Sequence, residues 1–375
     1  MEEKIAIDLL WLRPGKVGGT EFFIRNLLDG FLERTELFHF VLFATENNFK
    51  SFERYLKDKR FEMIIAPIDN SSIGHRIIWQ NLFQNSYLRK NGIKKCFTPV
   101  YCRPMFNGKI SYINVIHDIQ AYHYPEYHPL YEVWFSKLCW LVDKFFTKHV
   151  VAISSFVKTD LLNVFHFSDE KVSVIYNPIV MNANECVPFE EVQEKYGIEE
   201  KGYYYTIGQL IPHKNIDTLV KVFDEIRREH KELPCRLLIT GINGNAAETI
   251  KALIHEYSLD DAITLTGFIE NEEKVALYKA CKAFLFPSVF EGFGMPPIEA
   301  MLCKVPVITT KCACIPEVTQ NKACYVEDPY DTGDWIKQMK MVSGSCEDIN
   351  FKCYEKVNIA GDYLALFEKI WGQVY

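Results

Sequence analysis

Short runs of consecutive apolar residues, each closed by glycine, proline or polar residues and followed by a longer stretch of helical pattern, repeat along the chain. Such runs read as strands buried on both faces, and the stretches between them as the helices that cover a parallel sheet. In the first half, Lys4–Leu10, Phe38–Thr45, Glu62–Ile68, Lys95–Val100, Tyr112–Ile116, His149–Ile153 and Lys171–Tyr176 are predicted strands. Glu21–Arg34, His75–Lys90, Tyr131–Lys148 and Ser155–Phe165 are the predicted helices between them. A second series places strands at Tyr203–Ile207, Cys235–Thr240, Ala262–Leu265, Ala283–Phe286 and Val305–Thr309. Its helices are Asn215–His230, Ala246–Tyr257, Asn271–Cys281 and Pro297–Cys303. The expected class is α/β, with two Rossmann-like domains built on parallel sheets.

Between the two series, Asn177–Lys201 is polar and acidic, and the rhythm lapses. A chain of 375 residues exceeds what one core usually supports, so the domain boundary is placed there. The expected domains are 1–178 and 179–358, with 359–375 a terminal segment whose apolar period, Asp362–Trp371, predicts a helix. The aromatic helix with Trp134, Phe135, Trp140, Phe145 and Phe146 is read as core-facing, its lysines reaching out at the edge; docking on a membrane is the alternative.

Composition removes several classes. Hydrophobic content of 48% with 24% charged residues is that of a globular protein. A net charge of −7 and the lack of a basic stripe argue against nucleic-acid binding. The 12 cysteines lie mostly singly in apolar runs, without a C-x-x-C pair, and read as reduced thiols of a cytoplasmic protein; Cys312 and Cys314 lack a second pair for zinc. The acidic opening Met1-Glu-Glu-Lys predicts no signal peptide, and no apolar stretch is long enough to span a bilayer. Membrane contact, if made, is then peripheral, on the inner face.

The unusual clusters follow predicted strands, where ligands bind in open parallel sheets. Two such edges facing each other would make an interdomain cleft. Pro14-Gly-Lys-Val-Gly-Gly-Thr-Glu21 puts Gly18 and Gly19 before a helix, an arrangement that suits a diphosphate and equally a plain tight turn. Gly208-Gln-Leu-Ile-Pro-His-Lys214 offers a compact cation at a helix mouth, although a lone lysine there is more often solvated. Gly241 follows the next strand. Phe286-Pro-Ser-Val-Phe-Glu291-Gly-Phe-Gly-Met-Pro-Pro-Ile-Glu299 spaces two carboxylates eight positions apart around a helix start. Two such acceptors suit a polyhydroxylated ligand; Glu299 as plain helix decoration is the bland reading. His117-Asp118, at another strand end, alone reads as a structural pair.

The segment Phe286–Met301, with Gly208–Leu219 and Ala262–Tyr278, resembles the donor domain of retaining glycosyltransferases of family four, which have the two-Rossmann GT-B architecture. The E-x7-E hallmark is met by Glu291 and Glu299 with the filling E-G-F-G-x-P-P-x-E-A. The likeness is good over about Tyr203–Asp328 and looser in the first half. It implies that Glu291 contacts the transferred sugar, that Gly292, Phe293, Gly294 and Met295 present backbone to it, that Glu299 holds the ribose, and that Lys214 holds the diphosphate. Thr266-Gly-Phe268-Ile269 resembles the loop beside the nucleobase. The family's arginine after the first glycine is here Gln209, which removes one expected phosphate cation; Arg103 and His213 are possible substitutes. Val115-Ile-His117-Asp118 resembles the H-D element of mannosyltransferase-like members, Asp118 orienting His117 and His117 meeting a sugar hydroxyl of donor or acceptor, the pair being placed on the acceptor side. The terminal helix would cross back to the first domain.

The resemblance also implies front-face transfer with retention, no cofactor and no metal; no Asp-x-Asp motif occurs in the sequence. The expected partners are a nucleotide-sugar, GDP-mannose favoured over a UDP-hexose, and a saccharide or lipid-linked acceptor in cell-surface polysaccharide synthesis. Rival readings are a weakened GT-B protein that binds or scaffolds, a Rossmann oxidoreductase, whose dinucleotide fingerprint is missing, and a nucleotide-sugar hydrolase or epimerase.

Overall fold

The computed structural model describes residues 4–16, 18–36, 38–105, 108–342 and 347–372. The opening residues 1–3 and Val17 of the first glycine loop lie outside them. The chain divides into two compact units, Met1–Val180 with Lys352–Tyr375, and Met181–Phe351.

The first unit holds β1 (Ile5–Asp8), β2 (Phe40–Thr45), β3 (Phe61–Ala66), β4 (Lys95–Thr98), β5 (Ser111–Ile116), β6 (His149–Ala152) and β7 (Val172–Val174). All pair in parallel, in the order β3-β2-β1-β4-β5-β6-β7. The second unit holds β8 (Tyr204–Ile207), β9 (Leu237–Thr240), β10 (Ile263–Gly267), β11 (Ala283–Phe286), β12 (Val307–Thr310) and β13 (Cys324–Val326). Their order is β10-β9-β8-β11-β12-β13, again parallel. In each sheet the strand order reverses once, between β1 and β4 and between β8 and β11. These are the switch points at which a doubly wound sheet opens a crevice beyond its carboxyl ends.

Burial explains the strands. Every residue of β1, β2, β4, β9 and β11 is buried, as a parallel sheet covered on both faces requires. On one face of the second sheet, Leu219, Phe223 and Ile226 of helix Ile216–Glu229 pack with Leu237, Leu285 and Trp335; on the other, Tyr205, Tyr278, Phe284 and Phe286 cluster.

Several expectations shift. The stretch read as linker contains helix Phe189–Tyr196, which buries only Val192 and so shows almost no apolar period. β13 and helix Thr332–Met341 were not predicted. The helix expected at His75–Lys90 runs as helix Ile73–Trp79, a π turn at Gln80–Gln84 and helix Asn85–Lys90. The aromatic helix, Leu130–Phe146, is not core-facing along its whole circumference: Trp140 is buried, but Trp134 is 71% and Phe145 65% exposed. Its inward face is Val133, Ser136, Trp140 and Asp143, spaced three and four apart, which turns the remaining aromatics outward. Among the described residues the 11 cysteines are free thiols and no helix is long and apolar enough to cross a membrane.

The terminal helix starts at Lys356 rather than Asp362 and runs to Trp371. It packs against helix Gly19–Glu33 within the first unit. Lys95 Nζ donates to the Trp371 carbonyl at 3.0 Å, and Trp371 Nε1 to Ser111 Oγ at 2.8 Å. The close approach depends on Gly30: a Cβ there would lie 2.3 Å from the Lys356 carbonyl oxygen. Gly30→Ala therefore should destabilise the protein by about 2–3 kcal/mol, because backbone on both sides must separate. Thermal unfolding checks this; an unchanged melting temperature would mean that the two helices adjust freely.

Candidate functional site

The switch point of the second unit gathers most of the residues singled out from the sequence. β8 runs out at Ile207 into Gly208 and the exposed Gln209, and the chain then turns through Pro212–Lys214 into helix Ile216–Glu229. β11 runs out into Pro287–Gly294 and then helix Met295–Leu302. Lys214 Nζ and Glu291 Oε1 form an ion pair across this gap. Both side chains are largely screened from water, 18% and 12% exposed, so their attraction is stronger than that of a surface pair. The Lys214 ammonium also stands 5.7 Å from the centre of the Phe286 ring.

The frame around the pair is rigid for identifiable reasons. Val289 N–H and Ser288 Oγ both donate to the His213 carbonyl, at 2.9 and 3.2 Å. Asn215 Nδ2 donates to the carbonyls of Pro287 and Pro329, and Thr310 Oγ1 to that of Ser288. Asn215 itself adopts the left-handed conformation, φ 53°, that turns the chain into the helix. Next to this, Gly208 N–H donates to the Thr240 carbonyl and Gly241 N–H to that of Gly267. Gly241 has to be glycine: a Cβ would meet the Gly208 carbonyl oxygen at 2.0 Å.

Glu299 sits in the second turn of helix Met295–Leu302, not the first, because the helix begins two residues earlier than expected. Side chains hold it more than the helix dipole does. Lys274 Nζ donates to its two oxygens at 3.2 and 3.1 Å, and Tyr278 Oη to Oε2 at 3.1 Å. Neither partner was singled out from the sequence. The signal was there: Lys274 and Tyr278 are four apart on helix Asn271–Ala280 and therefore share a face. Gly292, Phe293 and Gly294 are buried under the loop and Met295 is half-buried. In the predicted nucleobase loop Phe268 stands out, 70% exposed, while Ile269 packs into the core.

In the first unit the expectations fare less evenly. Gly18 precedes helix Gly19–Glu33, but the loop already has an anion: Glu21 Oε2 accepts the Gly15 N–H at 2.8 Å and Oε1 accepts from Arg25. His117 is half-buried at the end of β5, with Nε2 2.8 Å from the Pro99 carbonyl and its ring edge-on to Phe23. Asp118 does not orient it; its carboxylate accepts the Gln120 N–H at 2.9 Å. Burial lowers the His117 pKa, against smaller upward pulls from the Pro99 carbonyl and Asp118. The ring is therefore neutral at neutral pH; with Nε2–H donating to a carbonyl, Nδ1 is left as an acceptor. Arg103 is no substitute phosphate cation: it is buried in the first unit, donates from Nε to the Pro104 carbonyl and lies over Tyr112. His213 is buried as well.

Two Rossmann-like parallel sheets define the architecture as the GT-B glycosyltransferase fold, which solved glycosyltransferase structures share. Residues 188–343 match the family model for glycosyl transferases group 1. O-antigen chain mannosyltransferase B of Escherichia coli is 29% identical over 224 residues, 58% of this chain and 58% of that protein. O-antigen chain mannosyltransferase RfbU of Salmonella typhimurium is 30% identical over 227 residues, 60% of this chain and 59% of that protein. The matches thus span less than two thirds of these relatives. Among solved structures, Anabaena Alr3699/HepE in complex with UDP and glucose superposes with a TM-score of 0.72 at 15% identity, over 98% of this chain and 100% of that one. Sucrose-phosphate synthase from Thermosynechococcus elongatus gives 0.70 at 16% identity, over 99% of each.

The Lys214–Glu291 pair makes a direct prediction for the ligand-free protein. Lys214→Met and Glu291→Gln should each destabilise it by leaving a half-buried charge unpaired, while the double variant recovers part of the loss. A double-mutant cycle of unfolding free energies should show coupling of about 1–3 kcal/mol. Additive losses would mean that the pair does not hold the two loops together.

Proposed function

We propose that the protein transfers a hexosyl group, mannose favoured, from a nucleotide-diphosphate sugar to a saccharide or lipid-linked acceptor in cell-surface polysaccharide synthesis. The reading rests on the ion pair of Lys214 and Glu291 at the β8–β11 switch point. A donor diphosphate entering there exchanges one anion for another on Lys214, with the N-terminus of helix Ile216–Glu229 adding its positive end. Glu291, released, accepts hydroxyls of the sugar. Glu299, kept in place by Lys274 and Tyr278, accepts those of the ribose. In the first unit, neutral His117 has Nδ1 as an acceptor suited to a sugar hydroxyl.

Charge that develops on the leaving diphosphate is met by Lys214, helix N-termini and backbone N–H groups, so no metal ion is required. No residue is assigned as a nucleophile; the acceptor hydroxyl attacks from the face the diphosphate leaves, and configuration is retained. The O-antigen mannosyltransferase relatives favour mannose and polysaccharide synthesis, and the structural neighbours with UDP and UDP-glucose favour a nucleotide-sugar donor. GDP-mannose is preferred over a UDP-hexose on the relatives and the H-D element. The exposed Gln209 favours a second reading, a catalytically weakened protein that binds or scaffolds, because one phosphate cation is missing and Arg103 does not replace it.

Radiolabelled GDP-mannose with a lipid-linked saccharide acceptor separates the two: label transfer supports the enzyme, and saturable binding without turnover supports the scaffold. Turnover should persist in EDTA. Lys214→Ala should cut kcat/KM by about 30- to 1000-fold, equivalent to about 2–4 kcal/mol of transition-state stabilisation. Unchanged kinetics would remove Lys214 from the site. Glu299→Ala should mainly raise the KM for donor, and a fall in kcat alone would contradict its place on the ribose.

A further inference from the structure

Twelve of the 20 exposed large apolar side chains among the described residues lie in two segments of the first unit, 73–83 and 122–146. On helix Leu130–Phe146 they form a continuous stripe, Leu130, Trp134, Leu138, Leu141 and Phe145, at helical spacing opposite the buried face. On the neighbouring segment Ile73, Ile78, Leu82 and Phe83 are exposed. The two meet around a cavity of about 840 Å³ whose walls combine Ile73, Ile77, Phe135 and Trp140 with the charged Arg76, Asp118 and Glu132. A soluble protein rarely leaves so much contiguous apolar surface uncovered unless something binds it.

Charge identifies the occupant. Residues 73–90 contain Arg76, Arg89 and Lys90 and no aspartate or glutamate. From 122 to 148 the charged residues are Lys137, Lys144 and Lys148 against the exposed Glu126 and Glu132 and the fully buried Asp143, which accepts from Asn114 and Thr147. The charge of the two segments is thus net positive, in a chain whose net charge is −7. Of the two exposed acids, Glu132 is engaged by Tyr131 and faces His128 at 3.8 Å. Lys137 lies 5.7 Å from the Trp134 ring centre and Lys144 5.1 Å from that of Phe145. Lysines alongside exposed aromatics on an apolar helix face are the pattern that lies in a membrane interface: rings at the acyl boundary, ammonium groups at lipid phosphates.

We infer that this two-segment face docks the protein on an anionic bilayer. The inference stands apart from the donor reading, since docking requires no nucleotide and involves none of the residues at the β8–β11 switch point.

Flotation of the full chain with vesicles of phosphatidylethanolamine and phosphatidylglycerol tests it, with phosphatidylcholine vesicles for comparison. The protein should float with the anionic vesicles at low salt, weakly with the neutral ones, and less as salt is added. Trp134→Ser with Phe145→Ser should lower partitioning at least tenfold. Lys137→Glu, Lys144→Glu and Lys148→Glu should each lower it about fivefold and together abolish the preference for anionic lipid. These side chains are on the surface, so melting temperature and the thermal shift with nucleoside diphosphate should stay as in the parent. Absence of flotation on anionic vesicles at low salt, or flotation that these variants leave unchanged, overturns the inference. A dimer that Trp134→Ser with Phe145→Ser dissociates, without vesicle binding, would assign the face to a second copy of the chain and overturn it equally.

Discussion

The ion pair of Lys214 and Glu291 spans the gap that opens where the second sheet reverses its strand order. Beyond the carboxyl ends of the parallel strands β8 and β11 the regular ladder stops, and the hydrogen bond from Val289 N–H to the His213 carbonyl joins the outgoing loops. The loops must be tied by other means. His213, Asn215, Ser288 and Thr310 do this through backbone carbonyls, and the Lys214 and Glu291 side chains add an ion pair between the two loops. A cation and a carboxylate preorganised in this way incur little reorganisation when a ligand takes the place of either one.

The alternation of strands and helices was legible because parallel strands are buried on both faces and read as unbroken apolar runs. β1 as Ile-Ala-Ile-Asp and β11 as Ala-Phe-Leu-Phe need no context to be recognised. Elements that bury little were not legible. Helix Phe189–Tyr196 contributes one buried side chain, so its pattern resembles a linker. Helix Thr332–Met341 is a different case: Asp331 caps it by accepting the Gly333 N–H, a local signal that was present and passed over. The outward turn of Trp134 and Phe145 was invisible because aromatic content alone does not say which face of a helix meets the sheet.

In the site, residues linked by motif were legible and residues linked by space were not. Glu291 and Glu299 are eight positions apart in a distinctive filling, but the partner of the second, Lys274, lies 25 residues away. The pairing of Lys214 with Glu291 spans 77 residues, and no spacing rule reaches that far. The same distance hides negative results. Arg103 looked available as a cation until burial against Tyr112 and Pro104 removed it. Asp118, adjacent to His117 in sequence, turns its carboxylate to its own backbone two residues on, as aspartates at strand ends commonly do.

The two units share a topology and differ in what stands at their switch points, and the difference bears on which one takes an anion. In the first unit the glycine loop after β1 donates to Glu21, which Arg25 already neutralises. At the end of β1 itself, Asp8 is fully buried with Gln84 and the Leu10 N–H as partners, and burial lifts its pKa to about 6 against their pull. Bringing a diphosphate there would place it beside a carboxylate that has no need to leave. In the second unit the equivalent position carries a lysine whose counterion is a single side chain of the adjoining loop. Like strand orders therefore do not make like sites: the end suited to an anion is the one whose cation can change partners.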